Sequence, residues 1–151
     1  MKFLNAIDIS ASGLTAQRLR MDTIASNMAN AETTRVDGAN GPYRRQIVLF
    51  EAKKSAPQKN FNSILQDKLS GAGQGVRVTE IRSLNENEAP FRRVYEPAHP
   101  DADAAGYVNY PNVNIVEEMI NMISATRSYE ANAKVMEATK GMALRALDIG
   151  R

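Results

Sequence analysis

Hydrophobic positions near the start of the chain recur with a seven-residue period: Ile7, Leu14, Met21 and Met28, with Ala11, Ile24, Ala25 and Ala31 beside them. That spacing keeps one face of a helix apolar and predicts a helix from about Asn5 to Asn30, roughly 39 Å long at 1.5 Å per residue. Gly13 weakens it by about 1 kcal/mol relative to alanine without ending the pattern. Near the other end, Ile115, Met119, Met122, Thr126, Tyr129, Ala133, Met136, Lys140, Ala143 and Leu147 alternate spacings of four and three, the spacing of a coiled-coil seam with two polar positions. Val116, Ile120 and Ile123 widen the stripe at its start, and Ala131, Val135, Ala138, Met142, Ala146 and Ile149 form another side further on. Pro111 marks the beginning and Gly150 the end, predicting a helix over 113–149 of roughly 55 Å.

Between these ends the pattern changes. All six prolines fall between Pro42 and Pro111, so the two ends are free to be helical and the middle is not. The stretches YRRQIVLFE (43–51), GVRVTEIRSL (75–84) and FRRVYE (91–96) are β-branched or aromatic and bounded by turn formers, and they predict strands. FNSILQDKL (61–69) fits a helical turn or a mobile loop, and SGAGQG (70–75) a flexible connection. The expected fold is mainly α with a small β-rich insertion: a 1–34 helix and a 113–151 helix paired as a coiled coil, and a β-rich 35–112 segment outside, with a flexible loop near 53–74. The C-terminal helix is longer than its partner and apolar on more than one side. One helix cannot cover it, which predicts an assembly subunit.

Composition narrows the classes that remain. A net charge of +2 over 151 residues is far from the cationic cluster that neutralises several phosphates, so no nucleic-acid partner is expected. The absence of cysteine removes disulfides, thiol nucleophiles and Cys-ligated metal. Asn5 and Asp8 interrupt any apolar signal-peptide core, and no run is long enough to insert in a membrane. By composition alone the chain belongs in the cytoplasm.

Candidate chemistry is thin. His99 stands near Asp101 and Asp103, but no second histidine completes a metal site, and flanking prolines make a turn the simpler reading. Glu117 and Glu118 suit the helix dipole at a helix start, and as helical neighbours they diverge by about 100°. GAGQG lacks the context of a phosphate loop. Arg44–Arg45 and Arg92–Arg93 fit solvated strand faces or polar interface contacts. The expectation is no enzyme and no cofactor.

The segment SASGLTAQRLRMDTIASNMANAETTR (10–35) resembles the N-terminal motif of the flagellar rod and hook axial proteins, an SGL-type start followed by an NxxAN segment and a threonine, here Asn27, Asn30 and Thr33. GPYRRQIVLFEA (41–52) and the stretch from His99–Pro100 through Gly106–Tyr107 to Gly150 are similar to the C-type proximal rod branch of that family. The resemblance implies a structural subunit of the bacterial basal body whose terminal helices build an inner tube around an export channel. It implies that the proximal rod transmits torque from the membrane ring to the distal rod and hook. Implied partners are further copies, other proximal rod proteins, the hook–basal-body connector protein, the distal rod and the flagellar type III export apparatus. The implied location is the rod in the periplasm, reached without a cleaved signal peptide, which revises the cytoplasmic expectation. Packing seams are expected at Ile7, Leu14, Met21, Ile24 and Met28, and at Ile115, Met119, Met122, Tyr129, Met136 and Leu147. The narrow export route also predicts terminal segments that order only on assembly. The alternative is a cytoplasmic coiled-coil adaptor or regulatory scaffold.

Overall fold

The computed structural model describes residues 2–36, 41–53 and 75–150, with single positions at 65 and 73. The expectations for the 61–69 and 70–75 stretches lie almost wholly outside the described residues. Helix α1 spans Lys2–Ala29 and helix α2 spans Ile115–Ile149. Between them lie β1 (Gln46–Ala52), β2 (Val76–Ser83), β3 (Arg92–Tyr95) and β4 (Tyr107–Tyr110). The described residues are therefore mainly helical, with two small antiparallel sheets.

Both helices have local reasons to start or stop where they do. The side-chain oxygen of Asn114 accepts from the Val116 and Glu117 N–H groups, capping α2, and Glu117 and Glu118 in its first turn face the positive end of the dipole. After α1, Asn30 donates from Nδ2 to the Ser26 carbonyl and accepts the Thr33 hydroxyl hydrogen at Oδ1, closing the turn that leaves the helix. The helices touch along their length and run in opposite directions: Gly13 lies against Asn132, Met21 meets Thr126 and Asn27 meets Glu118. A side chain at Gly13 would put its Cβ about 3.0 Å from the Asn132 amide, so the glycine sets how closely the helices approach.

The first hairpin pairs Gln46 with Ser83 through Ala52 with Val76, with a register shift between Leu49 and Phe50. It rests on α1. Its far end is fastened by Ser12, whose hydroxyl donates to the Ile9 carbonyl (2.7 Å) and accepts the Val76 N–H (3.0 Å). Gly75 makes that approach possible: its φ of 93° disfavours any side chain, and a Cβ there would meet the Ser12 oxygen. The second hairpin pairs Arg92 with Tyr110 through Tyr95 with Tyr107. Strand β4 is not among the strands expected from sequence; it forms between Gly106 and Pro111, where Val108 is buried.

Among the described residues the buried apolar side chains are mostly small: Ala16, Ile24, Ala31, Val108 and Ala125. Polar groups share the interior, namely Ser10, Thr23, Asn27, Glu118 and Thr139. Among the described residues no helix is long and apolar enough to cross a membrane.

Candidate functional site: a buried junction and an exposed helix face

Two features of α2 carry the functional content. The first is a polar junction where α1, the start of β1 and the start of α2 meet. Asn27 is buried, and both ends of its amide are used. Nδ2 donates to the Gln46 carbonyl (2.8 Å) and to Glu118 Oε2 (3.2 Å). Oδ1 accepts the Gln46 N–H (2.9 Å) and the Tyr43 hydroxyl hydrogen (2.9 Å). Glu118, only 1% exposed, also accepts from Arg45 through Nε at 2.9 Å and through Nη2, which reaches Glu117 as well at 3.2 Å. Burial works against the Arg45 charge, but hydrogen bonds and charge from Glu118, then Glu117, outweigh it and hold the guanidinium above its ordinary pKa. A carboxylate with 1% exposure is tolerable only with such partners.

The second feature is the face that this packing leaves open. Val116 (60%), Ile120 (63%) and Ile123 (54%) are exposed at helical spacing near the start of α2, and Met142, Leu144, Leu147 and Ile149 are exposed near its end. Of the seam positions read from sequence, Ile24 is buried, while Ile7, Leu14, Met21, Met28, Met122, Tyr129 and Met136 are half-buried. Ile115, Met119 and Leu147 are exposed. The buried positions of α2 are different, Glu118, Ala125 and Thr139; on the same seven-residue line Asn132 lies against Gly13, and Glu118 is held by Asn27 and Arg45.

The motif residues of the middle segment stabilise the second hairpin. The Asp101 N–H donates to His99 Nδ1 (3.1 Å), the His99 N–H to the Glu96 carbonyl, and the Ala102 N–H to the His99 carbonyl; Pro100 completes this turn. Asp103 accepts from the Ala105 and Tyr107 N–H groups, each at 2.9 Å, and from Arg93 at 2.9 Å. The Tyr107 N–H, against a smaller opposing effect of burial, and then the Ala105 N–H and Arg93, hold the Asp103 carboxyl below the usual aspartate value. Gly106, at φ 81°, lets Tyr107 stack edge-on to Tyr95 at 5.3 Å; a Cβ there would lie 2.9 Å from the Tyr95 ring. Among the described residues no group of three or more His, Asp or Glu side chains is placed to hold a metal. The junction's two central partners, Arg45 and Glu118, were read from sequence as a strand-face charge and a dipole partner. Their pairing links positions 73 apart, and no local pattern announces it.

Comparison with known proteins fits this architecture of two long helices and a β-rich middle. The family described as flagella basal body rod protein matches residues 7–35, and the one described as flagellar basal body rod FlgEFG protein C-terminal matches residues 104–149. These place the chain among the flagellar axial proteins. The flagellar basal-body rod protein FlgC of Bacillus subtilis (strain 168) is 45% identical, with both chains covered in full. That of Borreliella burgdorferi is 46% identical over 99% of this chain and 98% of its own, and that of Salmonella typhimurium 41% identical over the whole of both. The chain belongs to the FlgC family of flagellar basal-body rod proteins.

Proposed function

We propose that the chain is a structural subunit of the proximal rod, built into the basal body by packing its helices against those of its neighbours. The observation that carries this is the apolar face of α2, Val116, Ile120 and Ile123, left exposed on a chain of this family. An isolated apolar stripe of this kind calls for a partner. The terminal segments, 1–34 and 113–151, act as a coiled-coil inner domain lining the export channel, and 35–112 faces outward. Ile7, Leu14, Met21, Met28, Ile115, Met119, Met122, Tyr129, Met136 and Leu147 contribute to the packing seams between helices of the same and neighbouring subunits.

Torque passes through many small contacts in such an assembly, since close-packed side chains transmit strain. The neighbours are other copies, other proximal rod proteins, the connector toward the membrane ring and the distal rod. The chain reaches the periplasmic rod through the flagellar type III export apparatus, and its role is mechanical rather than catalytic. Contacts from neighbours complete the ordering of the terminal helices in the assembled rod.

The test is a deletion strain of a flagellated host complemented with the native chain, followed by isolation of basal bodies. The expected result is restored motility and the chain present in the rod fraction by mass spectrometry. Restored motility with the chain confined to the cytoplasm would overturn the proposal and favour the adaptor role.

A further inference from the structure

We infer that the cleft between β1 and α2 receives the end of α2 from a second copy, so that successive subunits join head to tail. This rests on the reading of the chain as a rod subunit and names one of its contacts. Among the described residues β1 packs on α1 and not on α2. The cleft left between β1 and α2 has a volume of about 310 Å³ and is lined by Arg20, Ile24, Ile47, Val48, Phe50 and Asn121. Its apolar wall is incompletely covered, Phe50 being 39% exposed.

Arg20 selects the occupant. It stands midway between Gly13 and Asn27, which face Asn132 and Glu118 of α2. Among the described residues it is the only part-buried Asp, Glu, Lys or Arg with no ion pair. Glu118 borders the same cleft but is already held by Arg45 and Asn27. A cation half out of water beside aliphatic side chains is complemented by a carboxylate that arrives with apolar surface of its own.

The end of α2 carries that combination. Leu144, Leu147 and Asp148 share one side of the helix at spacings of three and four. Leu144 and Leu147 are exposed, and Asp148 is exposed with no ion pair among the described residues. Leu147 lies roughly 39 Å along α2 from Asn121 at 1.5 Å per residue, so the two halves of the contact do not meet within one chain. Between copies they do, and a contact of one end with the other repeats along an axis instead of closing in a symmetric pair.

The chain has no cysteine, so an introduced pair reports one contact. Phe50→Cys and Leu147→Cys are placed together in the full chain in the deletion strain, and isolated basal bodies are oxidised briefly. The expected result is disulfide-linked dimers and longer ladders of this chain, joined between positions 50 and 147 by mass spectrometry, and none from either single variant. In the cysteine-free chain, Arg20→Glu and Asp148→Arg each set like charges together. Each is expected to lower the amount of the chain in basal bodies at least about ten-fold, and the two together to restore it to within about two-fold of the parent.

Either single reversal at the parental amount, or a charge swap that restores nothing, would overturn the inference while leaving the chain a rod subunit. So would rods that contain the double-cysteine chain without a link between positions 50 and 147, or with either position linked to a different rod protein. Absence of the parent chain from basal bodies would remove the rod reading, and this contact with it.

Discussion

Replacing Asn27 by aspartate is a nearly isosteric change that should be about as damaging at neutral pH as deleting the side chain and, unlike deletion, should be relieved in acid. In Asn27→Ala, the Gln46 N–H and C=O lose their buried partner, while Tyr43 retains Ser26 Oγ at 3.4 Å and Glu118 retains Arg45. Two unsatisfied backbone groups cost about 2–5 kcal/mol together. In Asn27→Asp, the Nδ2 donor becomes an oxygen 3.2 Å from Glu118 and 2.8 Å from the Gln46 carbonyl. Two charges at that distance repel by roughly 5 kcal/mol at an effective dielectric of about 20. Protonating the new carboxyl relieves the repulsion and caps its cost at roughly 4 kcal/mol at pH 7, falling to about 1.5 kcal/mol at pH 5. The introduced group thus has a raised folded pKa, so its favourable contribution is present in acid and lost as the pH rises through that value. Urea unfolding followed by circular dichroism, in sucrose-containing buffer that strengthens apolar burial, would be run at pH 5 and pH 7 on parent and both variants. The aspartate variant should be about 4 kcal/mol less stable than the parent at pH 7 and should recover relative to the alanine variant at pH 5. An aspartate variant within about 1 kcal/mol of the parent at pH 7, or one with no pH dependence beyond that of the alanine variant, would refute the amide orientation and the junction built on it.

Three further outcomes follow from the geometry. Gly13→Val should weaken the helix pair by about 1–3 kcal/mol, because its side chain meets Asn132, whereas Gly13→Ala with Asn132→Ala should gain up to about 1 kcal/mol of helix propensity; urea midpoints check both. Gly75→Ala should detach the first residue of β2 from Ser12, read as accelerated hydrogen exchange at the Val76 amide with α2 unaffected. The turn around Asp103 should loosen in acid: its folded pKa is lowered, so its stabilisation is present at neutral pH and lost as the pH falls below about 3.9, the ordinary aspartate value. Amide chemical shifts of Ala105 and Tyr107 would report that change, and their constancy to pH 2 would contradict it.

The two long helices were legible because they are local patterns with clear punctuation. Asn114 caps α2 one residue inside the predicted start, and the three longer β-rich stretches became strands trimmed at their ends. Strand β4 escaped notice because four residues between a glycine and a proline are too short to outweigh the surrounding small residues. Its alternation of tyrosine with a β-branched residue was the available signal. The buried junction lay beyond reach for a different reason: Asn27, Arg45 and Glu118 are polar residues that ordinary expectation places at the surface, and only the approach of three distant segments makes their burial possible. Helical periodicity marks an apolar stripe, but it does not say that the buried positions of α2 are Glu118, Ala125 and Thr139, with Asn132 against Gly13.

The central claim is that the open face of α2 is covered by neighbouring helices in the assembled rod. Ile120→Arg and Ile123→Arg, each introduced into the full chain in a deletion strain, test it most directly, since both side chains are more than half exposed and neither supports the subunit's own interior. The account predicts normal synthesis, absence of the chain from purified basal bodies and loss of motility. Basal bodies containing either variant at the parental amount, in cells that swim normally, would contradict it.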